Sequence, residues 1–338
     1  MKRVNLGMSG GVDSSVAAYL LQQKGYEVHG VTMLLCGDGS SNVASAKSVC
    51  DKLGIEHSVL DLRDEFRASV MENFAAAYEA GTTPNPCVVC NREIKFKYLF
   101  AEDALIATGH YAHIGETKDG RKYIQKADNL DKDQSYFLYS LSQEVLERAV
   151  FPLADYSKDE IREIASDIGL SNANRKDSQD VCFIPGGDYA GFIENFRDTD
   201  YPEGNFVDMD GNVLGRHKGI INYTIGQRKG LGLALKQPMY VYKLDVDANE
   251  VILCCSDELM SSEIIAGDFN WMAMTPQDEP FKAKARIRYR HKEADCTVFP
   301  LDSGRVKIIF REPQRAITAG QSVVIYDDDI VIGGGVIL

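Results

Sequence analysis

The sequence predicts an α/β protein, with an N-terminal parallel sheet followed by smaller antiparallel β units. Over the first 110 residues, short apolar runs alternate with helical periodicities, the pattern of repeated βα units in an open parallel sheet. Gly25, Gly54 and Gly81 each stand just past a helical run, where a residue able to adopt positive φ closes a helix. From about Phe206 the character changes to short alternating segments separated by turn chemistry. Examples are Met209-Asp210-Gly211-Asn212, Asp245-Val246-Asp247-Ala248-Asn249 and Asp302-Ser303-Gly304.

Taken in order, Arg3 to Met8 reads as a strand. Ser14 to Lys24 reads as a helix with Val16, Ala17, Leu20 and Leu21 on one face. Glu27 to Leu34 is a second strand, Asn42 to Leu53 a helix and Ile55 to Leu60 a third strand. Arg63 to Glu79 and Asn91 to Glu102 are helical, and Ala104 to Thr108 is a buried strand. The region from 135 to 170 reads as helical, first Gln143 to Ala149 and then Lys158 to Ile168, with Ser157 capping the second helix and Gly169 ending it. The aspartates from Asp327 to Asp329 read as a hairpin turn.

At 338 residues, 44% hydrophobic and 26% charged, the chain is neither disordered nor collagen-like, and its length suggests two or three domains. No stretch reaches the roughly 18 apolar residues of a membrane span, and the N-terminus reads straight into a strand. A cytoplasmic protein without membrane attachment is the expectation. Eight cysteines are too few for a disulfide scaffold, so cysteine pairs point to catalysis, redox chemistry or metal. The formal charge of −13 argues on its face against a polyanion partner. Residues 281–292 nevertheless contribute +6 and residues 211–236 contribute +5, leaving −24 for the rest. In the first of these, Lys282, Lys284, Arg286, Arg288, Arg290 and Lys292 occupy alternate positions. As one strand they would share a face, and like charges in register are best explained by phosphate partners.

The strongest chemical signal is Gly7-Met8-Ser9-Gly10-Gly11-Val12-Asp13-Ser14, between the first strand and the first helix. Glycines admit close backbone approach. Successive N–H groups, serine hydroxyls and a helix N-terminus then make an anion cradle. The loop lacks the Gly-Lys-Ser/Thr of a Walker A motif and the spacing of a dinucleotide fingerprint. It resembles the pyrophosphate loop of the ATP pyrophosphatase superfamily, whose members cleave ATP between the α and β phosphates and transfer AMP to an oxygen.

Further segments carry a more specific resemblance. Thr83-Pro84-Asn85-Pro86-Cys87-Val88-Val89-Cys90-Asn91-Arg92-Glu93-Ile94-Lys95-Phe96 and Lys176-Asp177-Ser178-Gln179-Asp180-Val181-Cys182-Phe183-Ile184 are similar to the two cysteine segments of the tRNA-specific 2-thiouridylase family. So are Ala107-Thr108-Gly109-His110-Tyr111, Lys132-Asp133-Gln134-Ser135-Tyr136-Phe137-Leu138, Thr224 to Gly232, Ala319-Gly320-Gln321-Ser322 and Gly333-Gly334-Gly335. The resemblance runs nearly the whole chain in order. It implies an adenine-nucleotide alpha-hydrolase-like (PP-loop) catalytic domain over 1–195, a small central β-rich domain over 196–258 and a C-terminal β-barrel-like, tRNA-contacting domain over 259–338.

The activity implied is ATP-dependent 2-thiolation of the wobble uridine of tRNA, with ATP and Mg2+ required and an upstream persulfide donor as partner. By resemblance, Cys182 carries the persulfide and Cys90 is the partner thiol, leaving a transient Cys90–Cys182 disulfide. The pyrophosphate loop with Met33 and Gly109 would bind ATP. Asn85, Pro86, Cys87, His110, Lys132, Asp133, Gln134, Lys284, Arg286, Arg288, Tyr289, Arg290 and Gln321 would contact tRNA.

Two departures stand out. The family's usual aspartate in Thr-Pro-Asn-Pro-Asp is here Cys87, creating a C-x2-C pair with Cys90. Cys87 reads as a plain replacement, as half of a redox pair, or with Cys90 and Cys182 as a ligand of an iron–sulfur cluster or zinc. The segments after Met33 and after Tyr98 are also shorter than the family's. Cys36, Cys50, Cys254, Cys255 and Cys296 lie in apolar patterns and read as core residues. His110 reads equally as a locally bonded strand-end histidine or as a group near the target base. The competing function is another PP-loop ligase or amidotransferase acting on a small metabolite, which would need neither the two cysteines nor a basic surface.

Overall fold

The computed structural model describes residues 2–170, 172–173 and 180–338. The N-terminal sheet is assembled from β1 (Arg3–Gly7), β2 (Glu27–Leu34), β3 (Glu56–Asp61), β4 (Leu105–Ala107) and β7 (Ala149–Val150), all parallel, in the order β3-β2-β1-β4-β7. Helix α1 (Val12–Gln23) follows β1 and α2 (Ser40–Leu53) follows β2. The predicted inner face of α1 is buried, with Val16, Ala17, Leu20 and Leu21 packed on Val4, Leu6 and Val28 of the sheet. Each of the larger aliphatic side chains contributes on the order of 2 kcal/mol by burial. Past the helix, Gly25 at φ +80 donates to Gln22 O while Tyr26 N reaches back to Leu21 O, which turns the chain into β2.

The predicted helix from Arg63 to Glu79 forms as α3, running through Arg63–Phe66, a π turn Arg67–Met71 and Glu72–Glu79. The next helix, α4, begins five residues before its predicted start. It comprises Pro86–Cys90, a π turn Asn91–Lys95 and Phe96–Leu99. Pro86 is preorganised for a first helical position, so the helix includes both cysteines of the C-x2-C pair.

The expected helical run from 135 to 170 is interrupted. Tyr136, Leu138, Tyr139 and Leu141 are all buried, a pattern no single helix face can satisfy. The segment instead makes short turns and the edge strand β7 before Pro152, then forms α5 (Lys158–Asp167). Ser157 and Glu160 close a reciprocal capping box at its start. The hairpin of β5 (Ala112–Glu116) and β6 (Lys122–Lys126) was not anticipated, although Asp119-Gly120 is its turn signal.

Helix α6 (Tyr189–Arg197) leads into a four-stranded central sheet of β8 (Gly204–Val207), β9 (Val213–His217), β10 (Tyr240–Asp245) and β11 (Glu250–Cys254), ordered β10-β11-β8-β9. Its apolar face shares one core with α3 and α6. The remaining strands are β12 (Met260–Trp271), β13 (Phe281–Arg286), β14 (Ala294–Pro300), β15 (Val306–Arg315), β16 (Ser322–Asp327) and β17 (Ile330–Ile337). They run β12-β15-β14-β13-β16-β17 and close through β12–β17 into a six-stranded barrel. The β5–β6 hairpin extends this sheet beyond β17, so a piece of the N-terminal half is built into the C-terminal one.

The predicted basic strand requires a correction. β13 ends at Arg286, and the chain then bends through residues 287–292, so the six cations do not share a face. Arg286 turns inward, with its guanidinium 2.7 Å from Glu293, 3.6 Å from the buried Asp133 and over the Tyr326 ring. Lys126 of β6 lies over the same ring and pairs with the same glutamate. This ionic cluster joins the hairpin, the Asp133 loop and the barrel. Removing one partner strands the others in a poorly solvated place. Arg286→Ala is expected to lower stability by on the order of 3 kcal/mol in urea titration, a larger loss than an exposed pair would give.

Candidate active site

Strand order reverses between β1 and β4, and their carboxyl ends open the crevice where sheets of this kind bind ligands. The loop from Gly7 to Ser14 leaves β1 on one side of it, and Thr108-Gly109-His110 leaves β4 on the other. A cavity of about 240 Å3 lies between them. Gly7, Met8, Ser9, Asp13, Ser14, Met33 and Gly109 of the expected ATP-binding set line it, together with Lys95, His110 and Gln134. Gly10, Gly11 and Val12 shape the loop behind this wall.

The loop is held in shape by its own polar groups. Ser9 N donates to Ser14 Oγ at 3.2 Å, Ser15 Oγ donates to Gly11 O at 2.8 Å, and Asn172 Nδ2 donates to Gly10 O at 3.0 Å. Gly10 has φ +74, and a Cβ there would stand 2.7 Å from Asn42 O. At Gly109 a Cβ would come within 3.1 Å of Ser14 N, so the β4 loop can close on the cradle only as glycine. Asp13 Oδ1 accepts from Lys158 Nζ and from Tyr111 OH, each at 2.7 Å, which ties the first turn of α1 to α5 and to the chain after β4.

Three cysteines lie within electrostatic reach of Lys95, which lines this cavity. Cys90 is buried in the core between α3, α4 and α6, and burial pushes its thiol up to about 11. Cys87, one helical turn earlier, is exposed. Cys182 is exposed as well, and it is anchored by its neighbour Phe183, which packs edge-on against Phe66 and Phe74. Lys176, Asp177, Ser178 and Gln179 of the same motif lie outside the described residues. Lys95, in the π turn of α4, places its charge close enough to favour the thiolate forms of Cys87, Cys90 and Cys182. Motif reading passed over Lys95. Its position in the segment beginning at Cys87 was the available signal.

Cys36 corrects the sequence reading most directly. It is half-buried, packed against the edge of the core rather than within it. It follows the end of β2 and puts its sulfur 3.8 Å from the carbonyl oxygen of Cys182. A hydrogen bond from the Cys182 thiol lowers Cys36 to about 7 and raises Cys182 itself. Cys50, Cys254 and Cys296 are buried as expected, while Cys255 is half-buried and accepts a hydrogen bond from Gln237.

His110 packs between Phe96 and Phe151 and shares a 2.7 Å hydrogen bond with Thr108 Oγ1. Burial, and then Lys95, hold its pKa well below the usual 6.5, so the ring is neutral at neutral pH. Asp133 is buried, accepting from Ala127 N and Ser135 N, and Gln134 accepts from Tyr111 N. Arg288 donates to Ala316 O and Ile225 O. Asp133, Arg286 and Arg288 are therefore engaged inside the protein rather than presented to a partner. Tyr289 packs on Phe137 with ring centroids 4.5 Å apart. Gln321 Nε2 donates to Thr83 O and Pro84 O, pinning the barrel to the segment that carries Asn85, Pro86 and Cys87. Lys284 and Arg290 are exposed, as are Lys282 and Lys292 beside them.

Among the described residues, the group of three metal-ligating side chains whose donor atoms lie within 4.8 Å of one another is His113, Asp128 and Asp155.

An anion cradle at the switch point of a parallel sheet, with a lysine shared between the cavity and three nearby thiols, defines a nucleotide-using enzyme of the α/β class. Comparison with known proteins narrows this. Family models described as "tRNA methyl transferase HUP domain", "tRNA methyl transferase PRC-barrel domain" and "Aminomethyltransferase beta-barrel domain" match residues 2–186, 190–255 and 261–337. The tRNA-specific 2-thiouridylase MnmA of Lachnoclostridium phytofermentans is 45% identical over 356 residues, spanning all of both chains. The tRNA-specific 2-thiouridylase MnmA 1 of Clostridium botulinum is 48% identical and covers 99% of each chain. That of Acetivibrio thermocellus is 45% identical at the same coverage. The chain belongs to the tRNA-specific 2-thiouridylase family.

Two outcomes test this geometry. Gly10→Ala should abolish nucleotide binding in calorimetry while leaving the far-UV circular dichroism unchanged, because the substituted loop must move away from Asn42. His110 is neutral in the fold but takes up a proton near 6.5 when unfolded, so its contribution to stability is complete above that pH and is lost below it. The urea midpoint should fall between pH ~7 and ~5, and fall less steeply in His110→Gln.

Proposed function

We propose that the protein catalyses ATP-dependent 2-thiolation of the wobble uridine of tRNA. The observation that supports this is a cavity walled by the Gly7–Ser14 loop and lined by Lys95, whose charge acts on Cys87, Cys90 and Cys182. Replacing a carbonyl oxygen with sulfur requires a leaving group better than hydroxide. Adenylation of the uracil C2 oxygen supplies one, with pyrophosphate released, and the C2 oxygen later departs in AMP. The N–H groups of the cradle and Lys95 would stabilise the phosphates and the charge that builds at C2. Asp13 Oδ1 is already occupied by Lys158 and Tyr111, so Mg2+ would bind mainly through phosphate oxygens and water, which suits its slow dehydration.

Sulfur would arrive as a persulfide on Cys182 from an upstream donor, since that thiol is exposed and the neighbouring Phe183 holds its backbone. Neutral His110 would act by shape and hydrogen bonding at the base rather than as an acid. We assign catalysis to 1–195, the central sheet to 196–258 and tRNA contact to the barrel over 259–338. Lys284, Arg290, Asn85, Cys87 and Lys132 would face the tRNA, with Pro86 buried beneath them and Gln321 positioning their segment. The proposal needs neither zinc nor an iron–sulfur cluster at Cys87, Cys90 and Cys182, and a cytoplasmic setting suits the free thiols. Among the described residues no helix is long and apolar enough to cross a membrane. A ligase acting on a small metabolite would leave Cys182 and the exposed lysines and arginines without a task.

Cys182→Ser should form no 2-thiouridine in a reconstituted assay yet bind ATP normally, and thiolation by this variant would refute the sulfur-carrier role. Lys284→Glu combined with Arg290→Glu should weaken tRNA binding and reduce the salt dependence of log Kd by about two units of slope.

A further inference from the structure

Asn172 is buried behind the nucleotide loop, at 7% exposure, and no step of the reaction touches it. It belongs to the chain between α5 and Cys182. Its Nδ2 donates twice, to Gly10 O at 3.0 Å and to Ser15 Oγ at 2.9 Å. Ser15 is fully buried and passes the contact on, its hydroxyl donating to Gly11 O at 2.8 Å. Ser45 Oγ of α2 also donates to Gly10 O, at 2.9 Å. The carbonyls of two successive glycine peptides are thus held from the rear, one by Asn172 directly and the other through Ser15.

The orientation of the Asn172 carboxamide is fixed by these partners. A main-chain carbonyl only accepts, so the nitrogen and not the oxygen must face Gly10. Among the described residues, Asn172 Oδ1 has no hydrogen-bond partner although it is buried. A buried acceptor left unpaired is costly, and a side chain that only filled this space would do better as an apolar one. The two donated bonds are what the amide contributes against that cost.

Holding the two carbonyls has a consequence on the other side of the loop. A trans peptide carries its N–H opposite its C=O. With Gly10 O and Gly11 O directed at Asn172, Ser45 and Ser15, the N–H groups of Gly11 and Val12 are turned the other way. Gly11 N accordingly donates to Ser9 Oγ at 3.3 Å, and Ser9 lines the cavity. No side chain caps α1 at Gly11, so the first-turn N–H groups are left for an anion rather than for a capping oxygen.

We propose that Asn172 is a positioning residue of the nucleotide loop: by holding Gly10 O and Ser15 Oγ from behind, it keeps the N–H groups of Gly11 and Val12 directed at the phosphates of ATP. This rests on the function proposed above, in its use of ATP. Asn172 touches no substrate and acts only through the backbone it holds. Two replacements separate this role from packing. Asn172→Ala removes both donors and leaves space, whereas Asn172→Leu restores the volume without the donors.

The test titrates the full-length protein with Mg–ATP by calorimetry and with tRNA by filter binding, using wild type, Asn172→Ala and Asn172→Leu. Both variants should raise the Kd for ATP at least about tenfold while the Kd for tRNA stays within about twofold. ATP binding at wild-type affinity by Asn172→Leu overturns the proposal, because volume alone would then suffice. Parallel loss of tRNA affinity also overturns it, since that marks a general loosening of the fold. Should thermal melts show both variants unfolded, Ser15→Ala decides: it breaks the relay to Gly11 O, and an unchanged Kd for ATP counts against the proposal. If wild type and both variants bind ATP equally, this role fails and the proposed function stands. If the variants lose ATP but wild type with tRNA, ATP and a persulfide donor forms no 2-thiouridine, the proposed function fails and the role of Asn172 stands.

Discussion

The reversal of strand order between β1 and β4 is the constraint on which the rest of the molecule depends. At that point two chain segments leave neighbouring strands in opposite directions and open a gap between them. Gly109 lets the β4 loop approach the backbone at Asp13 and Ser14, and Gly10 lets the cradle pack against the start of α2 at Asn42. The clasp of Asp13 with Lys158 and Tyr111 fixes the helix end that supplies the positive pole. Every other functional group is arranged around this opening. Lys95 comes from the π turn of α4, His110 from the end of β4, and Met33 from the end of β2.

The outer parts of the chain constrain the rim. The barrel does not hang from the catalytic domain by a linker alone. It incorporates the β5–β6 hairpin, holds Thr83 and Pro84 through Gln321, and packs Tyr289 on Phe137. Arg286 and Lys126, on either side of Tyr326, add an ionic cluster to that joint. The central sheet in turn shares its core with α3 and α6, which support Cys90 and Phe183. Such joints make the distance between the basic exposed surface and the thiols a property of the fold. That is what an enzyme needs if a long anionic substrate must present one base at a fixed place.

Much of this was legible in the residues, for identifiable reasons. Glycine terminators and apolar periodicity gave β1, α1, β2 and α2 within two residues, because those elements are stabilised by one-sided burial. The start of α4 was misjudged because Pro86 reads as a breaker unless it is recognised as a first helical residue. Alternation in 281–292 suggested a single charged face, yet Arg286 and Arg288 are drawn inward by Glu293, Asp133 and the Ala316 carbonyl. Those partners are distant in sequence, and no local pattern reveals them. Cys36 illustrates the same limit. Its neighbours in the chain are apolar, but its neighbour in space is Cys182, 146 residues away.

The account stands on the claim that the nucleotide loop activates the C2 oxygen of a tRNA uridine for attack by sulfur held at the adjacent thiols. Its most direct test is to supply tRNA whose wobble uridine carries oxygen-18 at C2, with ATP and a persulfide donor, and to weigh the AMP released. The account predicts one oxygen-18 in the phosphate of AMP for each 2-thiouridine formed. Unlabelled AMP accompanying 2-thiouridine would contradict it.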